Sequence, residues 1–236
     1  MFEAEADGLR ELKAANAIRV PEVYDCGTSG GESFIEIERF EFEPPSRAAE
    51  QALGEGLAAL HRHTADRFGW FRDNTIGPTP QVNQPGDDWV EFFRIHRLGY
   101  QLLLADANGY GNEVSGPGRA LSDSLQNLFI GYDPEASLLH GDLWGGNWGS
   151  VDGEPVIFDP AVYYGDRESD IAMTMLFGGF GRTFYEAYEA SWPMADGHQQ
   201  RLKLYQLYHV LNHLNLFGRG YLGQALSQLR ELTRIV

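Results

Sequence analysis

The sequence reads His140-Gly141-Asp142-Leu143-Trp144-Gly145-Gly146-Asn147 and, a few residues further on, Val156-Ile157-Phe158-Asp159. The first stretch has the pattern of a polar loop, with an aspartate two residues after a histidine and an asparagine five residues after the aspartate. The second stretch is a short apolar strand that ends in an acid. Together the two stretches predict that oxygen-bearing side chains from a loop and from the end of a neighbouring strand meet at one site.

Phosphoryl transfer requires this combination of groups. A carboxylate orients the attacking hydroxyl and accepts its proton, and further oxygen ligands hold the magnesium ions that bridge the phosphates. On this interpretation Asp142 is the catalytic base, while Asn147 and Asp159 hold Mg²⁺. His140 is expected to bond the loop backbone rather than to carry a proton. The alternative is that Asp142 and Asn147 only form turns in a glycine-rich loop and that Asp159 only ends a strand.

The composition limits the possible partners. The chain has 236 residues, 43% of them hydrophobic, and a formal charge of −16. An acidic surface of this kind repels nucleic acid and anionic membranes, so neither is expected as a partner. The sequence has no apolar run long enough to span a bilayer and no secretion signal at its start. Cys26 is the only cysteine, which excludes an internal disulfide and fits a cytoplasmic protein, expected to be a monomer.

Hydrophobic periodicity predicts an α+β protein in which a small mixed part precedes a larger helical part. The first helix is expected over Phe2–Asn16, and a hairpin of strands 19–24 and 33–38 follows it. Residues 63–87 form a long connection. The other helices are predicted to begin after Ser46 and to cover these ranges: 88–107, 120–130, 169–176, 183–190, 199–217 and 221 to the end.

Three longer motifs resemble one known family. They are LLHGDLWGGN (138–147), VIFDPAVYYGDRESDIAMTMLFGGF (156–180) and LYQLYHVLNHLNLFGRGY (204–221). They are similar to the fructosamine kinases, which are relatives of the aminoglycoside and choline phosphotransferases within the protein-kinase-like fold. The resemblance implies transfer of the ATP γ-phosphate to the sugar 3-hydroxyl of a fructosamine or related ketosamine, which leads to deglycation of the amine.

The resemblance also implies roles for individual residues. Glu5 matches the helix glutamate that pairs with the ATP lysine, and Glu38 to Phe40 match the hinge that binds adenine. Asp170 matches an acid that accepts hydrogen bonds from the catalytic-loop backbone. Substrate-side candidates are Asp166, Arg167, Glu168 and His213. The alternatives are a solvated helix acid for Glu5, an edge strand for the hinge, a helix cap for Asp170, a surface loop for 166–168 and a packed helix histidine for His213.

The predicted fold is thus two-lobed and protein-kinase-like. Residues 1–40 correspond to a remnant of the N-lobe, with a helix, a hairpin and the hinge at its end. Residues 41–236 correspond to the helical C-lobe with the catalytic loop. The family places its glycine-rich strands and its ATP lysine before the first helix, and neither Lys13 nor Lys203 can occupy that lysine's position. Either an upstream segment supplies the lysine, or the chain binds nucleotide poorly.

The leading prediction is an enzyme that uses ATP and Mg²⁺ on a small-molecule or protein-bound ketosamine. A related phosphotransferase for aminoglycosides or choline is the alternative within enzymes. A non-catalytic, pseudokinase-like binding module is the alternative outside them.

Overall fold

The computed structural model describes residues 1–235 of the chain. Most of this part is helical, and the helices are α1 (Phe2–Ala15), α2 (Arg47–His61), α3 (Trp89–Phe93), α4 (Tyr100–Ala105), α5 (Gly111–Ser124), α6 (Glu168–Leu176), α7 (Arg182–Ser191), α8 (His198–Phe217) and α9 (Leu222–Ile235). The π-helical turns Arg94–Gly99 and Asp106–Tyr110 join α3, α4 and α5 into one run. Ser46 caps α2 as the sequence predicts, because its side chain accepts a hydrogen bond from the N–H of Ala49.

The strands are short and form separate small sheets. They are β1 (Val23–Ser29), β2 (Glu32–Ile37), β3 (Thr64–Ala65), β4 (Asn74–Ile76), β5 (Thr79–Gln81), β6 (Ala136–Leu139), β7 (Trp148–Val151), β8 (Glu154–Ile157) and β9 (Tyr163–Gly165). The antiparallel pairs β1–β2, β4–β5 and β7–β8 are hairpins, and β6 lies between β3 and β9. The site described below lies where β6, the β7–β8 hairpin and the β4–β5 hairpin meet.

The first hairpin differs from the prediction in the bounds of its first strand. The sequence suggests a strand over 19–24 and a wide turn, but β1 begins at Val23 and continues to Ser29. Gly30 and Gly31 alone make the turn, with positive φ angles of 62° and 88° that glycine adopts without strain. Arg19 instead forms an isolated parallel bridge to Val156 in β8. Two adjacent glycines therefore suffice for this turn, and the residues before them extend the strand.

The helices and the long connection also differ in detail from the prediction. The run that begins at residue 89 does not stop near 107 but continues to residue 124 with a kink at Gly109 (φ 86°). The connection 63–87 is not irregular throughout, because it contains β3 and the β4–β5 hairpin.

One hydrophobic cluster extends through the described chain. It includes Leu9 and Leu12 of α1 together with residues of every helix from α2 to α9. The first 40 residues therefore do not have a core of their own. The division at residue 40 therefore remains a prediction. Among residues 1–235, no helix combines the length and the apolar composition needed to cross a bilayer.

Candidate active site

The loop between β6 and β7 carries Asp142 in a fixed conformation. Gly141 has a φ of 83°, and a Cβ there would lie 2.0 Å from the carbonyl oxygen of Ala161. The N–H of Ala161 in turn donates to the carbonyl of His140 at 2.8 Å. Only glycine fits at position 141, because the loop lies directly against the segment that follows Asp159.

His140 shapes this loop from a fully buried position. Its Nε2 donates to the carbonyl of Phe158 at 3.0 Å, and its Nδ1 accepts from the N–H of Asp142 at 3.3 Å. This hydrogen-bond pattern assigns the neutral ring. Burial lowers the pKa of His140, which also favours the neutral form at pH 7. His140 thus holds the backbone of Asp142 and has no free nitrogen for proton transfer.

Asp170 supports the loop from behind. Its Oδ2 accepts from the N–H of His140 at 2.8 Å, and its Oδ1 accepts from the N–H of Gly141 at 2.9 Å. Burial alone would raise the pKa of this carboxyl, but hydrogen bonds from His61 and from the loop backbone outweigh it and hold the pKa below its usual range. The ionised carboxylate therefore fixes the two residues that precede Asp142.

His61, at the end of α2, is a supporting residue that the sequence pattern does not reveal. Its ring is completely buried; Nε2 donates to Asp170 at 3.2 Å and Nδ1 accepts from the hydroxyl of Tyr188 at 2.8 Å. That hydroxyl also accepts from Arg167 at 3.0 Å. A chain of hydrogen bonds thus reaches from Arg167 through Tyr188 and His61 to Asp170. Only the fold brings these residues together, since 109 positions separate His61 from Asp170.

Replacing Asp170 with asparagine should lower the free energy of unfolding by about 2–4 kcal/mol at pH 7, because a buried hydrogen-bonded charge is lost. The pKa of Asp170 is lower in the folded state, so its stabilisation is complete above the unfolded value of about 3.9 and is lost as the pH falls below it. Urea unfolding of the unaltered chain and of Asp170→Asn at pH 7, 5 and 3 measures the difference between their free energies of unfolding. This difference should shrink only at pH 3. The exposed Asp123→Asn variant is the control, and a difference that stayed constant to pH 3 would contradict this role.

Asp142, Asn147 and Asp159 converge through the backbone of the loop. The Nδ2 of Asn147 donates to the carbonyl of Asp142 at 2.9 Å and to the carbonyl of Asp159 at 3.3 Å. Because the amide nitrogen makes both bonds, the amide oxygen is the atom left for a cation. Asp159 has a φ of 57°, a conformation that aspartate and asparagine tolerate better than most residues. Asn147 lines neither of the cavities described next, but its amide nitrogen ties together the backbones of Asp142 and Asp159, whose side chains both line one of them.

A cavity of about 470 Å³ opens beside the two carboxylates. Asp142 and Asp159 line it together with Glu5 of α1 and the Gly77–Pro78 tip of the β4–β5 hairpin. Burial raises the pKa of Glu5, and the nearby carboxylate of Asp159 raises it further. We call this space the acidic cavity; it gathers negative side chains where a cation would compensate them.

A second cavity of about 490 Å³ lies on the other side of Asp142. His213 lines it, and the ring of His213 contacts Phe177, Phe217 and Tyr221 at centroid distances of 4.6–5.3 Å. Trp144 of the loop completes the wall. The Nδ1 of His213 donates to the carbonyl of His209 at 2.8 Å, so Nε2 is the nitrogen left for a ligand. We call this space the aromatic cavity.

The predicted hinge residues lie outside both cavities. Glu38 pairs with Arg19 at 2.7 Å, and the guanidinium of Arg19 stacks over the ring of Phe40 at 4.6 Å. The next residues run along β7, because Glu43 bridges to Ser150. Phe42 packs against Phe158 at 5.3 Å, directly before Asp159. The segment therefore joins the first hairpin to the strands that end at the site.

The structure places the predicted substrate-side residues 166–168 away from both cavities. All three are buried, and none of them lines the acidic or the aromatic cavity. Asp166 accepts hydrogen bonds from Tyr132 and Tyr205, and Glu168 forms a buried ion pair with Arg201 at 2.9 Å. Arg167 donates to the carbonyl of Pro193 at 2.6 Å as well as to Tyr188. These charges therefore have partners within the core, and the predicted surface loop is buried instead.

Comparison with solved structures defines the class of the fold. The ADP-bound aminoglycoside phosphotransferase APH(2'')-Ib superposes with a TM-score of 0.60 at 12% identity, over 99% of this chain and 81% of that one. A choline/ethanolamine kinase family protein from Mesorhizobium loti superposes with a TM-score of 0.61 at 14% identity, over 99% of this chain and 79% of that one. The fold is therefore protein-kinase-like and α+β, as the sequence predicts.

Closer relatives identify the family. The fructosamine kinase family model matches residues 1–234. A Synechocystis protein named as a probable ketoamine kinase is 47% identical over the whole chain and 79% of its own length. The chloroplastic protein-ribulosamine 3-kinase of Oryza sativa subsp. indica is 45% identical over the whole chain and 70% of its own length. A crystal structure from Haemophilus somnus 129PT, assigned as a fructosamine-3-kinase, superposes with a TM-score of 0.92 at 32% identity, over 98% of this chain and 79% of that one. The chain belongs to the fructosamine kinase family.

Proposed function

We propose that this chain phosphorylates the sugar 3-hydroxyl of ketosamines, with Asp142 as the catalytic base. Membership of a kinase family makes the chain an ATP-dependent kinase. One observation carries the assignment of Asp142: this residue lines both the acidic cavity and the aromatic cavity. A group that accepts a proton from the acceptor hydroxyl during phosphoryl transfer must stand between the phosphate donor and the acceptor.

The acidic cavity is the proposed site of the nucleotide phosphates and Mg²⁺. Asp159 lines this cavity and would hold a hard divalent cation through its carboxylate, and the neighbouring Asn147, whose Nδ2 bonds the carbonyls of Asp142 and Asp159, would add its amide oxygen. Between residues 1 and 235 no three His, Cys, Asp or Glu side chains are grouped closely enough to hold a metal, so the phosphates would supply further ligands. When bound, the cation neutralises charge on the phosphates. Glu5 would pair with the lysine that anchors the ATP phosphates, while the backbone at Glu38 and Phe40 would bind adenine.

The environment of Asp142 suits a base at neutral pH. Burial raises the pKa of its carboxyl to about 7, and the neighbouring carboxylates of Asp159 and Asp170 contribute to the shift. A carboxylate with a raised pKa accepts a proton more readily than one in water. In the proposed step the acceptor oxygen forms a bond to the γ-phosphorus, the bond from that phosphorus to the oxygen of ADP breaks, and the hydroxyl proton passes to Asp142.

The aromatic cavity is the proposed site of the acceptor. Its rings would stack on the sugar and on the cationic amine, and the Nε2 of His213 would accept a hydrogen bond from an acceptor hydroxyl. Relatives of this chain are named for ketoamines and for protein-bound ribulosamines, so a small-molecule or protein-bound ketosamine is the proposed substrate. The two lobes proposed at 1–40 and 41–236 would then contribute Glu5 and the catalytic loop, respectively.

Incubation with Mg²⁺, ATP and a fructosamine formed on lysine tests the proposal. We expect a phosphate ester at the sugar 3-hydroxyl, detected by phosphorus NMR, followed by release of free lysine. The same incubation with excess EDTA should give no ester, and free lysine, choline and an aminoglycoside serve as control acceptors. Phosphorylation of a control acceptor in preference to the fructosamine would contradict the proposed substrate class.

A further inference from the structure

The β4–β5 hairpin separates the two cavities. Asn74 and Thr75 of β4 line the acidic cavity, whereas Ile76 lines the aromatic cavity. The tip, Gly77–Pro78, lines both, as only Asp142 otherwise does among the described residues. Gly77 has a φ of 55°, and the proline ring fixes the backbone of the next residue. The tip is therefore a stiff turn placed beside the proposed base.

Gln81 holds this hairpin in place from a buried position. Its Nε2 donates to the carbonyl of Ala161 at 3.0 Å and to the Oδ1 of Asn74 at 2.9 Å. Its Oε1 accepts from the hydroxyl of Tyr208 on α8 at 3.0 Å. Gln81 is only 2% exposed, so these bonds are not shared with solvent. One side chain thus connects the hairpin both to the segment after Asp159 and to the helix that carries His213.

Side chains of β4 and β5 make further hydrogen bonds to the same two neighbours, the segment after Asp159 and α8. The Nδ2 of Asn74 donates to the carbonyl of Val162 at 2.8 Å, and the Oγ1 of Thr79 donates to the Oδ1 of Asn212 at 2.7 Å. Asn212 itself lines the aromatic cavity. Buried polar side chains of this kind hold a segment in one position only when all their partners are present. The hairpin is therefore tied to both of the walls that it separates.

We propose that the β4–β5 hairpin is the partition that aligns the acceptor hydroxyl with the γ-phosphate and excludes water from it, and that Gln81 is the positioning residue that holds it. The inference rests on the proposed function. Water competes with the acceptor for the same phosphorus: its oxygen would form the new P–O bond, the bond to ADP would break, and its proton would pass to Asp142. A stiff partition favours the acceptor because small misalignments strongly slow a positioned reaction.

Two prolines in the hairpin provide a matched test. Pro78 and Pro80 are both exposed and two positions apart, but only Pro78 lines the cavities. Replacing either with glycine frees the backbone by the same chemical change. We expect Pro78→Gly to raise the ratio of ADP formed to ketosamine phosphorylated about tenfold and to raise the KM for the ketosamine, whereas Pro80→Gly should leave the ratio unchanged.

Gln81→Met provides the second variant, since it removes all three hydrogen bonds at nearly constant volume. It should raise the same ratio, with melting temperature measured in parallel; if this buried variant fails to fold, Pro78→Gly alone decides. An unchanged ratio in Pro78→Gly, or an equal rise in Pro80→Gly, would overturn the role of the hairpin while transfer by the unaltered chain stands. Absence of ketosamine phosphorylation by the unaltered chain would instead overturn the proposed function and this inference with it.

Discussion

Replacing Asp142 with asparagine is expected to lower kcat for ketosamine phosphorylation by about a factor of 10³. Asparagine keeps the shape of the side chain but cannot accept the hydroxyl proton. The loop should keep its conformation, because His140, Gly141 and Asp170 make their bonds to one another and to the backbone of residue 142. Steady-state kinetics with Mg²⁺–ATP and a fructosamine measure kcat, and the thermal shift caused by Mg²⁺–ATP reports nucleotide binding.

The exposed Asp123→Asn variant is the matched control, since it makes the same chemical change on α5 at a residue that lines neither cavity. We expect its kcat to equal that of the unaltered chain. The nucleotide-induced shift should be nearly the same in all three proteins. If Asp142→Asn removed that shift, Asp142 would act in nucleotide binding and the assignment of the base would be wrong.

Replacing Gly141 with alanine is expected to destabilise the protein by more than about 3 kcal/mol and to abolish activity. Two costs combine at this position. The φ of 83° disfavours a residue with a Cβ by about 1–2 kcal/mol. The Cβ would also lie 2.0 Å from the carbonyl oxygen of Ala161, a backbone atom that can move only if the segment after Asp159 moves with it.

Gly131→Ala separates these two costs. Gly131 has a φ of 76°, and a Cβ there would meet no atom within 4 Å. This control should therefore lose only the smaller, conformational part of the free energy and should keep its activity. Urea unfolding measures both variants at pH 7. An equal loss of unfolding free energy in Gly141→Ala and Gly131→Ala would contradict the close approach of the loop to Ala161.

The loop 140–147 is the part of the candidate site whose local geometry is most accessible from the sequence. Its residues lie within one short stretch, so His140, Asp142 and Asn147 specify their own geometry through local hydrogen bonds. Asp159 follows at the end of the next hairpin, which keeps it close. A pattern of residue types suffices when the interacting groups are near in sequence.

The supporting contacts could not be predicted in this way. His61 reaches Asp170 across 109 positions, and Gln81 reaches Tyr208 across 127. The burial of Glu168 could not be predicted for the same reason, because its partner Arg201 lies 33 residues further along. A charged residue near a motif appears solvent-facing until the fold shows a buried partner. The width of the first turn was mispredicted for a local reason, since two glycines can close a hairpin by themselves.

The left-handed backbone at Asp159 decides which substitution at this position can be interpreted. Alanine there would remove the carboxylate and also strain the chain at a φ of 57°, so lost activity could have either origin. Asparagine accommodates this region of backbone space comparatively well and matches aspartate in size. Comparison of these two replacements therefore separates the contribution of charge from that of chain conformation.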